Sequence, residues 1–165
     1  FGRKDMSNNS SPPIYVVDTN VLIGFSTWNP LEFRLEFWNK FEKELENKKW
    51  VLLDVVVDEI KYEGELKKWC KRQKDKGLVT AIDDEIRNLA VEINNKYKMI
   101  NTETDNSSVD PFIIAFASKY GLGVFTREIY KTLTDPLFKI PDVCRELKIP
   151  YIKHPKIFMK SIGFV

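Results

Sequence analysis

The sequence predicts an α/β fold, a three-layer α/β/α sandwich around a central parallel sheet of about four to five strands. Three observations carry this. The 165-residue chain is 43% hydrophobic and 13% aromatic, enough for the core of one domain. Short runs of high β-propensity at 14–17, 50–53, 124–126 and 150–153 alternate with longer stretches of helical period. Such alternation argues parallel strands joined by right-handed helical crossovers.

In chain order, Phe1 to Pro13 are polar and turn-prone. They are read as a tail that is disordered or left over from cloning, with Met6 as a candidate start, ahead of one domain spanning 14–165. Ile14 to Val17 form a buried strand that runs into Asp18, and Thr19 and Asn20 open a helix. Asn29 and Pro30 are a cap and first residue for a helix from Leu31 to about Asn47, with Leu31, Leu35, Trp38, Phe41 and Leu45 inward. Trp50 to Leu53 read as the second strand, with Asp54 capping a helix through Glu59. One longer strand over Val51 to Val57 stays open, because periodicity does not settle short apolar runs.

A basic amphipathic helix follows from Glu65 to Lys76, with Leu66, Trp69 and Cys70 inward and Gly77 as its stop. Ile82, Ile86, Leu89, Ala90, Ile93 and Tyr97 mark the most periodic helix, and Asn101 to Ser108 a polar loop. Asp110 caps and Pro111 starts a helix apolar on all sides, hence central. After a break at Gly121 to Gly123, Val124 to Thr126 form a strand delivering Arg127 and Glu128 into a loop. Ile140 to Leu147 are a helix, Pro150 to Lys153 the last strand, and Pro155 to Ile162 the closing helix.

Composition excludes several classes. A net charge of +2, from 26 basic and 24 acidic residues, gives no global attraction to polyanions, so any nucleic-acid contact is local. Cys70 and Cys144 lack metal-ligand spacing and read as reduced, helix-packed thiols. No apolar run approaches the roughly 20 residues of a membrane span, and no signal peptide is evident, so a soluble, cytoplasmic protein is expected. With His154 the only histidine, a histidine-pair ribonuclease is excluded and a Ser-His-Asp hydrolase disfavoured. No Walker A motif is present, and Gly121-Leu-Gly123 lacks the rest of a dinucleotide fingerprint.

Each acid alone has an ordinary reading: Asp18 as a helix cap, Asp110 as a helix opening, Glu59 and Glu128 as solvated charges. As a set they differ. Asp18 and Glu128 follow strands, and Glu59 lies in the helix after a strand. In a parallel sheet these positions share one edge, and Asp110 joins them if the amino end of its helix lies there. Clustered carboxylates call for a compensating cation, and hard oxygen ligands select Mg²⁺ or Mn²⁺.

The pattern resembles the PIN domain, a metal-dependent ribonuclease fold, and VapC-type toxins in particular. The likeness rests on Tyr15-Val-Val-Asp18-Thr-Asn20-Val-Leu-Ile, Val57-Asp-Glu59-Ile60, Val109-Asp110-Pro111-Phe-Ile-Ile-Ala-Phe-Ala117 and Val124-Phe-Thr126-Arg-Glu128. Ile140-Pro-Asp-Val-Cys144 with Ile149-Pro-Tyr-Ile152 resembles one PIN-like subgroup. The resemblance implies that Asp18, Glu59 and Asp110 are the acidic triad and Glu128 the fourth acid, more often Asp in that family. Asn20 and Thr126 would support the site.

It further implies Mg²⁺- or Mn²⁺-dependent hydrolysis of RNA, an antitoxin partner and dimerisation through exposed apolar helices. Lys67, Lys68, Lys71 and Arg72 are candidate RNA contacts, against the plainer reading of a solvated face with Trp69 in the core. Two rival readings remain. One is a PIN-like binding module with weak or no catalysis. The other is an aspartate-nucleophile phosphatase, which Asn20 disfavours because that class places a second Asp there.

Overall fold

A computed structural model describes residues 11–104 and 108–164. Residues 1–10 of the expected tail and 105–107 of the expected loop lie outside the described residues. The elements are β1 (Tyr15–Val17), α1 (Thr19–Trp28), α2 (Leu35–Glu46), β2 (Trp50–Val51), α3 (Asp54–Glu59) and α4 (Glu65–Asp75), followed by α5 (Asp84–Tyr97), α6 (Asp110–Tyr120), β3 (Gly123–Phe125), α7 (Ile140–Leu147), β4 (Tyr151–Ile152) and α8 (Pro155–Ser161). The four strands form one sheet in the order β2-β1-β3-β4, parallel throughout.

Two faces follow from the register. Tyr15 pairs with Trp50 and Gly123, and Val17 with Phe125, so Tyr15, Trp50 and Phe125 point to one side. On that side Phe41 stacks on Trp50 at 4.1 Å between centroids, Phe158 of α8 stacks on Phe125 at 4.6 Å, and Trp69 of α4 stacks on Phe41 at 5.9 Å. Gly123 is required here, since a Cβ would lie 2.7 Å from the Tyr15 ring. Against the sheet α6 packs on β1 and β3, and beside α5 and α7. Its Ile113, Ile114, Ala115, Phe116 and Ala117 are all buried, as expected of a helix apolar on all sides.

Two boundaries differ clearly from the sequence reading, and one open alternative is decided. α2 begins at Leu35 rather than Leu31, because the Pro30 carbonyl accepts the amides of Phe33 and Arg34 and closes a separate turn. β2 ends at Val51. Beyond it Leu52 and Leu53 leave β1 and pair with Thr80, whose amide bonds the Leu52 carbonyl and whose carbonyl takes the Asp54 amide. α3 then starts at Asp54, so the alternative of one strand through Val57 is not adopted.

Lys48, Lys98 and Lys148 close α2, α5 and α7 in the left-handed conformation, at φ of 57, 53 and 56°. Cys70 and Cys144 are free and buried, and burial pushes both thiols up to about 12. Among the described residues no helix is long and apolar enough to cross a membrane.

Candidate active site

The carboxyl edge of the sheet gathers the candidate acids. Asp18 leaves β1 with its amide bonded to the Phe125 carbonyl at 2.9 Å, which ties the ends of the two central strands together. Its side chain turns inward and is only 4% exposed. One carboxylate oxygen accepts the Thr19 amide at 2.7 Å and the other the Thr126 hydroxyl at 2.8 Å. The helix-cap reading of Asp18 is therefore correct, and it coexists with a buried carboxylate at the mouth of the fold.

Thr126 orients the site. Its hydroxyl accepts the Glu128 amide at 3.1 Å and gives its one proton to Asp18. Asn20 Oδ1 takes the Arg127 amide at 3.1 Å, so the segment 126–128 is fastened to α1 at Asn20 and to its N-cap, Asp18, through the Thr126 hydroxyl. Glu128 reaches the other way, where one oxygen accepts the Ile140 amide at the start of α7 at 2.9 Å. Asp142, buried in the first turn of α7, takes the amides of Lys131 and Lys139, each at 3.0 Å, and closes the loop between Glu128 and that helix.

Electrostatics join three of the acids. Burial pushes Asp18 up to about 7, and the charges of Glu128 and Glu59 push the same way, against the Thr126 and Thr19 hydrogen bonds. Burial also raises Glu59, and the charge of Glu128 adds to it. The nearby Thr19 hydroxyl and the Lys61 ammonium favour its ionised form. Asp110 is buried in the first turn of α6. That helix ends at Tyr120, and only Gly121 and Leu122 separate it from β3. It therefore runs against the strands, with its amino end at the same edge as Asp18.

The acids share an edge without forming a closed ligand set. Among the described residues no three Asp, Glu, His or Cys side chains stand close enough, as placed, to hold one ion. The donor chemistry still fits a hard divalent cation. The oxygens are carboxylates, Asp18 is buried among like charges, and each of its oxygens keeps a lone pair beyond its protein hydrogen bond.

The basic helix divides. Lys67 pairs with Glu63 at 2.7 Å and Lys68 with Glu65 at 3.0 Å. Lys71 and Arg72 are exposed and make no ion pair among the described residues. Trp69 is buried, so it offers no stacking surface. Lys67, Lys68 and Lys71 line a cleft of about 580 Å³ between α3 and α4, and Arg72 lies outside it. A larger cavity of about 820 Å³ opens at the amino ends of the strands, among Ile14, Trp50, Leu122 and Pro150, and holds none of the candidate acids.

Two features escaped the sequence reading. The Arg127 side chain lies along α1 over Gly24, where a Cβ would stand 2.6 Å from Nη1. The Asp142 brace is the other. Its signal is the Pro-Asp pair opening α7, which reads equally as an ordinary helix start.

Comparison with known proteins assigns a family. A family model described as a domain of unknown function, DUF4411, matches residues 15–162. The chain belongs to the DUF4411 family. The DUF4411 match runs from β1 to α8 and so contains all four candidate acids and the Thr126 brace. Neither the curated proteins nor the solved structures returned a match.

Proposed function

We propose that this DUF4411 domain is a PIN-like, divalent-metal-dependent ribonuclease. The supporting observation is the carboxyl edge itself, where Asp18, Glu59 and Glu128 lie within electrostatic reach of one another and Asp18 is buried on the Thr126 hydroxyl. Asp18, Glu59, Asp110 and Glu128 would hold Mg²⁺ or Mn²⁺. Bound there, such an ion would supply an activated water for in-line attack and neutralise charge on the scissile phosphate. Thr126 keeps Asp18 oriented, and Asn20 and the Ile140 amide keep Glu128 and its loop in place. A cytoplasmic setting, an antitoxin partner and a homodimer belong to the same reading.

A PIN-like binding module is the second reading. It is favoured by one observation, that no three acids stand at ligating distance among the described residues. Cleavage of a mixed panel of structured and single-stranded RNAs in Mg²⁺ or Mn²⁺ separates the two. Activity lost on chelation and in Asp18→Asn supports the nuclease. No cleavage together with no Mn²⁺ binding by calorimetry supports the module.

A further inference from the structure

Between the end of α3 and the length of α4 lies the cleft of about 580 Å³, lined by five lysines against two acids, Asp58 and Glu63. In a chain of net charge +2 this is a local concentration of positive charge. Lys67 and Lys68 are engaged by Glu63 and Glu65, whereas Lys61, Lys71 and Lys74 make no ion pair among the described residues. Lys67, Lys71 and Lys74 fall on one stripe of α4, spanning roughly 10 Å of helix axis, while Trp69, Cys70 and Gln73 of the same helix are buried in the core. The cationic wall is thus backed by a rigid interior.

Tyr62 lies in the segment between α3 and α4, outside the lining of the cleft. It is 89% exposed, and its chain neighbours Lys61 and Glu63 both line the cleft. A bare aromatic ring beside unpaired lysines suits a single-stranded nucleic acid, whose unstacked bases offer faces to an aromatic side chain and whose phosphates track a positive groove. An acidic peptide would use the lysines but has no use for the ring. Val57, Asp58, Ile60 and Lys61, on either side of Glu59 in sequence, line the cleft, while Glu59 itself lies outside its lining. Lys61 also lies near enough to favour the charge of Glu59.

We propose that the α3–α4 cleft is the track for single-stranded RNA, with phosphates on Lys61, Lys71 and Lys74 and a base stacked on Tyr62. The strand would be led past Glu59 to the carboxylate edge. This rests on the ribonuclease reading for its direction but not for binding itself. Double-stranded RNA, whose bases are already stacked, gains nothing from Tyr62 and is bound more weakly.

The test is fluorescence anisotropy of a labelled single-stranded RNA 12-mer with the full chain in chelator, so that binding is read without cleavage. Replacing Lys61, Lys71 and Lys74 with Gln lowers the slope of log affinity against log salt by about 2, from three lost phosphate contacts. Tyr62→Ala weakens binding by about tenfold, and Tyr62→Phe retains wild-type affinity. All four side chains are exposed, and unchanged melting temperatures show that the variants fold.

An unchanged salt slope in the triple variant, or equal affinity for Tyr62→Ala and wild type, overturns the track. Polyglutamate competing as well as RNA, with no effect of Tyr62→Ala, overturns it in favour of an acidic protein partner. RNA binding retained without metal-dependent cleavage overturns the nuclease reading and leaves the track standing. Cleavage by wild type with normal binding by the variants does the reverse.

Discussion

Asp18 holds the most consequential side chain, and its environment makes a signed prediction about pH. Well below about pH 4 the group is protonated in both native and unfolded chains, and its burial carries no pH-linked cost. As pH rises toward 7 the unfolded chain releases the proton and the native state retains it, since burial holds Asp18 up to about 7. Stability therefore falls across that window and the cost is constant above it, at most about 4 kcal/mol. Denaturant unfolding in chelator from pH 4.5 to 8.5 should show Asp18→Asn gaining on wild type as pH rises, then levelling above pH 7. A difference that stays flat with pH would contradict the raised pKa.

The strand ends made Asp18 and Thr126 visible in advance, because a β-run followed by a polar residue marks the edge without any knowledge of pairing. Gly24 and Arg127 were invisible for the opposite reason. Their contact depends on how α1 and the segment after β3 cross in space. A methyl at Gly24 would displace the Arg127 guanidinium while improving helix propensity by about 1 kcal/mol. Gly24→Ala should therefore melt at or slightly above wild type, yet show faster hydrogen exchange at the amides of 126–128. Slower or equal exchange would show that Arg127 does not hold down that loop.

At the scale of elements, α4 illustrates what amphipathic reading delivers and what it leaves out. Leu66, Trp69 and Cys70 were expected inward, and Trp69 and Cys70 are fully covered while Leu66 packs half-buried against the core. Gln73, one turn beyond Trp69 and not named among the inward residues, is buried, with neither its amide nitrogen nor its oxygen hydrogen-bonded to the protein. A buried amide without partners costs roughly 1–3 kcal/mol. Gln73→Met keeps the volume and removes the polar atoms, so it should raise unfolding stability by about 1 kcal/mol in urea. A loss of stability would mean that the amide is satisfied in solution.

The shortened β2 is the converse case. Its apolar run continues through Leu53, but Thr80 captures the last residues, and nothing periodic around Thr80 announces that it acts as a strand for a single bridge.

For the molecule as a whole, the parallel sheet was the inference most securely readable, because strands alternating with helices argue right-handed crossovers, while its order, β2-β1-β3-β4, is supplied by the structure. That order sets α6 against the strands and brings Asp110 to the edge shared by Asp18. A cation bound at this edge stabilises only the native chain. Mn²⁺ at a hundred times its dissociation constant should then add about 2.7 kcal/mol, and Asp18→Asn should abolish the gain. Because metal must displace the proton on Asp18, the gain should be larger at pH 8 than at pH 6. Thermal melts with and without Mn²⁺ at both values provide the check, and an equal gain in Asp18→Asn would place the ion elsewhere.

The three lysines that end helices with positive φ give the protein an unused reserve. Each bears a Cβ in a conformation that glycine adopts freely, at a cost of about 1 kcal/mol or more, and each side chain is exposed. Lys48→Gly, Lys98→Gly and Lys148→Gly, spread over α2, α5 and α7, should combine additively. After the greater flexibility of unfolded glycine is set against this, the triple variant should gain about 2 kcal/mol, or roughly 4–8 °C in Tm. Such a chassis would tolerate damaging substitutions at the carboxylate edge, so that lost activity in them could be separated from lost folding.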